Sequence, residues 1–95
     1  MVLLNNHDVT TALSGLDGWT RDGDTLVRSV EAPTYLDGIA LVQRVAEAAE
    51  RVAHHPDIDV RWRTVTFRLT THAEGGLTER DLELARVIDS MVVGR

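Results

Sequence analysis

Ala53-His54-His55-Pro56-Asp57-Ile58-Asp59-Val60-Arg61-Trp62-Arg63-Thr64-Val65-Thr66-Phe67-Arg68-Leu69 is the run on which the fold turns. Proline disfavours helical geometry in the residue before it, so any helix arriving from upstream must stop near His54-His55. Beyond Pro56, Ile58, Val60 and Trp62 alternate with Asp59, Arg61 and Arg63. Val65, Phe67 and Leu69 then alternate with Thr64, Thr66, Arg68 and Thr70. A period of two places each apolar set on one face, which predicts two half-buried strands turning near Trp62-Arg63.

Upstream, Ile39, Val42, Ala46, Ala49 and Ala53 recur at steps of three or four, and Leu41, Val45, Ala48 and Val52 form a second row. This predicts a long helix with a broad apolar face, opened after Pro33 by Thr34 with Asp37 in a capping-box-like arrangement. Further back, Trp19-Thr20-Arg21 and Thr25 to Val30 flank Asp22-Gly23, a pair that tolerates the positive φ of a tight hairpin turn. A short helix over Asp8 to Leu16, capped by Asn6 or Asp8, opens the chain. Downstream, Gly75-Gly76 breaks the chain, and Thr78 with Asp81 caps a last helix carrying Leu84, Ala85, Ile88, Met91 and Val92. The order is α-ββ-α-ββ-α, an α+β fold with a four-stranded antiparallel sheet and three helices on one face. Its two sheet edges stay open to pairing between subunits.

A chain of 95 residues without repeats or linkers reads as a single domain, residues 1–95. It has no cysteine, which excludes disulfides, thiolate nucleophiles and zinc-thiolate sites, and so small a core invites self-association. The net charge of −5 argues against non-specific nucleic-acid binding, which needs a basic face to displace phosphate counterions. No stretch of about 18 apolar residues and no basic, apolar leader occurs, so the expectation is a soluble, cytoplasmic protein with no membrane partner.

Three of the four histidines flank the second hairpin, His54 and His55 before it and His72 at its far end. Antiparallel pairing brings both ends to one side of the sheet. Imidazole, with an ordinary pKa of about 6.5, transfers protons in both directions near neutrality. Glu50, four residues before His54, shares its helical face and can orient it, and Asp81 can point into the same cleft. Several imidazoles, two carboxylates and no thiol suit general acid-base work on a small heterocycle or carbonyl-like substrate. Singly, each residue has a plainer reading: His54-His55-Pro56 as a solvated helix stop, His72 as an exposed strand end, Asp81 as a cap, Glu50 as a surface charge. Trp19 and Trp62 singly read as packing, and His7 as surface.

Taken together, Glu50, His54-His55-Pro56, Trp62, His72 and Asp81 resemble, in type and spacing, the pattern of the pterin-4a-carbinolamine dehydratases. Gly18-Trp19, Thr71-His72 and Gly75-Gly76-Leu77-Thr78-Glu79-Arg80-Asp81-Leu82 extend the resemblance from Leu16 to Ile88. Ile58 stands where many relatives carry a tryptophan. The resemblance implies a lyase that dehydrates a 4a-hydroxytetrahydropterin to the quinonoid dihydropterin in tetrahydrobiopterin recycling, downstream of an aromatic amino acid hydroxylase, with no metal or cofactor. It further implies His54 and His72 in acid-base catalysis, His55 in binding, Glu50, Asp81 and Thr71 in support, Trp19 as a wall for the flat pterin, and a homodimer or homotetramer. Two rival readings stand beside it. One is a non-catalytic protein-interaction, assembly or dimerisation cofactor on the same fold, since the family includes transcription-factor cofactors and Rubisco assembly factors. The other is a zinc site built from the three histidines.

Overall fold

The centre of the sheet is the antiparallel pairing of β2 (Thr25–Glu31) with β4 (Thr64–Leu69), in which Leu26 lies opposite Leu69, Arg28 opposite Phe67 and Val30 opposite Val65. These residues share one face, so β-branched and aromatic side chains from two strands meet across the ladder where helices can cover them. In the computed structural model, which describes residues 2–93, β1 (Thr20–Asp22) and β3 (Asp57–Arg61) complete the order β1-β2-β4-β3. Residues 1, 94 and 95 of the expected domain lie outside the described residues.

The order of elements is the expected one, with α1 at Asn6–Leu13, α2 at Tyr35–Val52 and α3 at Glu79–Val93. Val65, Phe67 and Leu69 are fully buried, and Ile58 and Val60 of edge strand β3 add half-buried contacts beside them. Ile58, opposite Phe67, thus takes a core-facing position. Between β3 and β4 the chain turns at Trp62-Arg63 as the alternation predicts, but Trp62 takes a positive φ of 52° and stays largely exposed, its ring covered by the Arg63 guanidinium.

Three local expectations shift. Helix α1 starts earlier, because the Asn5 side chain accepts from Asp8 N at 2.8 Å and caps it, and the helix stops at Leu13 before Ser14-Gly15. On α2 the second apolar row faces the core: Leu41, Val45 and Ala48 are buried with Ala49, while Ile39 and Val42 lie at the rim and Val52 is half exposed. His72 is not a strand end. Strand β4 stops at Leu69, and His72–Glu74 forms a single 3-10 turn closed by Gly75 at φ 74° and by a bridge between Thr71 and Gly76. Among the described residues no helix is long and apolar enough to cross a membrane.

Gly38 lets α2 lie close to the sheet, since a Cβ there would stand 3.3 Å from Val65 Cγ2 and 3.5 Å from Ala32 Cβ. A glycine inside a helix ordinarily weakens it by about 0.5–1 kcal/mol; here the close approach outweighs that loss. Gly38→Leu is expected to overpack this contact and cost about 1–3 kcal/mol, read as a lower urea midpoint with an unchanged slope.

Candidate active site

The site begins where α2 ends. Ala53 adopts a left-handed conformation (φ 53°), and the chain closes a Schellman-type end in which His54 N donates to Ala49 O at 3.1 Å and Ala53 N to Glu50 O at 3.3 Å. Two further carbonyls, Val52 O and Ala53 O, accept from Arg80 Nη2 at 2.8 and 2.9 Å. Arg80 stands in the first turn of α3, so this guanidinium ties the end of one helix to the start of the other. The reversal at Ala53 sends the two histidines opposite ways: His54 is buried and His55 exposed.

His54 meets Asp81. The Nε2 to Oδ1 distance is 2.6 Å, and Asp81 is fully buried. The other carboxylate oxygen, Oδ2, accepts from Thr71 Oγ1 at 2.8 Å and from Thr78 N at 2.9 Å. Thr78 Oγ1 lies 2.8 Å from Thr71 Oγ1 and accepts from Arg80 N at 3.3 Å, so Thr78 and Asp81 do cap α3 reciprocally, as their spacing predicts. The carboxylate nonetheless does more than cap, since its second oxygen reaches across to α2's end.

Glu50 does not orient His54. It pairs with His55 Nε2, both groups being well exposed, because the left-handed turn at Ala53 breaks the helical i,i+4 geometry on which the expectation rested. At such exposure the pair contributes little to stability. His72, exposed at its 3-10 turn, joins His54 and His55 around a cavity of about 250 Å³ that Thr70, Thr71, Ala73 and Arg80 also line. Trp19 is elsewhere. Its buried indole donates from Nε1 to Asp89 Oδ1 at 2.7 Å, and the same oxygen takes Arg28 Nη1 at 2.5 Å. Asp89 lies two turns beyond Asp81 on α3, about 12 Å along the axis at 1.5 Å per residue, so Trp19 braces the sheet against α3 and does not line the histidine cavity.

Sequence reasoning passed over two participants. Thr78 was legible only as a cap, and Arg80 carries no pattern of its own, because its partners are backbone carbonyls distant in sequence. Among the described residues no three His, Cys, Asp or Glu side chains group closely enough to hold a metal ion together; His54 and His55 are engaged by different carboxylates.

The family model described as pterin 4 alpha carbinolamine dehydratase matches residues 2–91. The chain belongs to this family. Its relatives include proteins provisionally named pterin-4-alpha-carbinolamine dehydratase from Mycobacteroides abscessus, 58% identical with 97% of this chain and 98% of that one covered, and from Nocardia farcinica, 60% identical with 94% of each covered. Among solved structures, a Brucella melitensis protein titled transcriptional coactivator/pterin dehydratase superposes with a TM-score of 0.92 at 28% identity, covering 96% of this chain and 99% of that one. A pterin dehydratase-like protein described as a RuBisCO assembly factor in the alpha-carboxysome shares the fold at a TM-score of 0.64 and 19% identity, over 78% of this chain and 86% of that one.

In this dehydratase-family chain the helix end that presents the histidines carries a strained alanine. Relief of the left-handed Cβ clash, about 1–2 kcal/mol, exceeds the entropy that glycine adds to the unfolded chain, about 0.5–1 kcal/mol. Ala53→Gly is therefore expected to raise the melting temperature by a few degrees in scanning calorimetry.

Proposed function

We propose that this chain dehydrates a 4a-hydroxytetrahydropterin to the quinonoid dihydropterin and water. The observation that carries the reading is the convergence of His54, His55 and His72 on one cavity, with His54 held from behind by buried Asp81. In the reaction the bond from C4a to its hydroxyl oxygen breaks. An acid must protonate the departing hydroxyl and a base must take the proton of the neighbouring ring nitrogen, whose electron pair forms the new C=N bond. Two imidazoles on one cavity suit these transfers, each typically contributing about 10² to 10⁴ in rate.

His54 and His72 are assigned to proton transfer and His55, steadied by Glu50, to binding and orientation. Arg80 and Thr71 complete the wall. No metal or cofactor enters the scheme. The chain so placed works in the cytoplasm in tetrahydrobiopterin recycling, on the product of an aromatic amino acid hydroxylase. It assembles as a homodimer or homotetramer, for which the open edges β1 and β3 offer pairing surfaces.

A second reading, a protein-interaction module, draws on the exposed apolar side chains Tyr35, Leu36 and Ile39 along the first turns of α2. Turnover separates the two. In stopped-flow absorbance on freshly generated 4a-hydroxytetrahydropterin, the folded protein is expected to accelerate dehydration, and His54→Ala and His72→Ala each to lower the rate by about 10² to 10⁴. Folded wild-type protein that gives no acceleration sinks the enzymatic reading and leaves the interaction module.

A further inference from the structure

We infer that Asp81, backed by Thr71 and Thr78, holds His54 as the Nε2–H tautomer, so that the nitrogen His54 offers to a substrate is Nδ1 and its task is to accept a proton. For its kinetic consequence the inference rests on the dehydratase reading; the tautomer itself does not.

The protons in this buried network have assignable directions. Arg80 N–H donates to Thr78 Oγ1 at 3.3 Å, and Thr78 N–H donates to Asp81 Oδ2 at 2.9 Å. Thr71 gives its one hydroxyl proton to Asp81 Oδ2 at 2.8 Å, so the hydroxyl proton between the two threonines, 2.8 Å apart, comes from Thr78. Oδ2 thus receives two donors and is satisfied. Oδ1 faces His54 Nε2 at 2.6 Å. A carboxylate oxygen can only accept there, so Nε2 must carry hydrogen.

A neutral imidazole has a single N–H, which leaves the lone pair on Nδ1. Among the described residues Nδ1 has no hydrogen-bond partner, yet it is not among the buried side-chain atoms left without one, Arg28 Nε and Arg63 Nε. It is therefore not fully buried. His54 lines both the cavity shared with His55 and His72 and a second one of about 270 Å³ between α2 and α3 beside Arg51, Glu83 and Leu84, and the scheme has Nδ1 open onto the first. In the serine-hydrolase arrangement the carboxylate holds Nδ1 and Nε2 reacts; here the two nitrogens exchange parts. Neutral His54 then takes the proton of the pterin ring nitrogen, and Asp81 stabilises the imidazolium that forms. The proton for the leaving hydroxyl comes from His72. Asp81, Thr71 and Thr78 are positioning residues in this scheme.

The test is long-range 1H–15N correlation spectroscopy on protein labelled with 15N-histidine, recorded without substrate at a pH where His54 is neutral. The expected pattern is a protonated Nε2 and an unprotonated Nδ1; the opposite tautomer overturns the inference and leaves the dehydratase reading standing. Asp81→Asn supplies the second arm. Its amide oxygen takes the donors of Thr71 and Thr78, its NH₂ then faces His54 Nε2, and the ring is expected to switch to Nδ1–H. With the lone pair gone from Nδ1, kcat should fall by about 10⁴, the scale of the corresponding carboxylate-to-amide change in a serine protease, with KM little changed. A switched tautomer with unchanged kcat overturns the base assignment. If Asp81→Asn does not fold, the wild-type spectrum alone decides the tautomer, and Thr71→Val beside its rescue by Thr71→Ser carries the kinetic arm: kcat lowered in the first and restored in the second supports the scheme, and equal kcat in both overturns it.

Discussion

Asp81 is a carboxylate removed from water, and much of the molecule is arranged around that fact. A buried acidic group without partners is destabilising by several kcal/mol, out of a total stability of about 5–15 kcal/mol for a domain of this kind. Its hydrogen-bond partners come from three places: His54 at the end of α2, Thr71 just after β4, and Thr78 at the start of α3. One side chain thereby requires three separate chain segments to meet at a single point.

That requirement explains why the site and the fold are hard to separate. The left-handed turn at Ala53 is strained for an alanine, but it swings His54 inward, where the ring completes the carboxylate's shell. Arg80 reinforces the same corner from the opposite direction, its guanidinium on the α2 carbonyls and its backbone N–H on Thr78. The solvent side of the cavity, by contrast, carries exposed side chains. His55, paired with Glu50, and His72 are exposed, and an ion pair in high dielectric adds little to the stability of the core. The cavity thus joins one buried imidazole to two exposed ones.

The opposite end of the sheet shows the same economy of means applied to stability alone. Asp89 receives both the Trp19 indole and the Arg28 guanidinium, pinning α3 to the sheet two helical turns from Asp81. Both ends of α3 are therefore anchored by an aspartate, and only one of those aspartates touches a histidine. The two anchors share no side chain, so the packing around Asp89 does not depend on the histidine corner.

The periodicities of Ile58 to Leu69 and of Leu41 to Val52, with Pro56 between them, were sufficient to predict the element order, because alternation and helical spacing are properties of neighbours along the chain. The histidine cluster was legible for a related reason, since a hairpin returns its two ends to one side. What the sequence could not settle was partnership. Glu50 sits at helical spacing from His54 but bonds His55, and Trp19 matches the family pattern but answers to Asp89. Thr78 looks like a cap and also supports a carboxylate shared with another helix. These outcomes depend on a backbone reversal at one alanine and on which polar groups are drawn from water together. Spacing along a chain fixes which face a side chain takes; only the packed structure fixes which donor meets which acceptor, because every buried polar group must be satisfied at once.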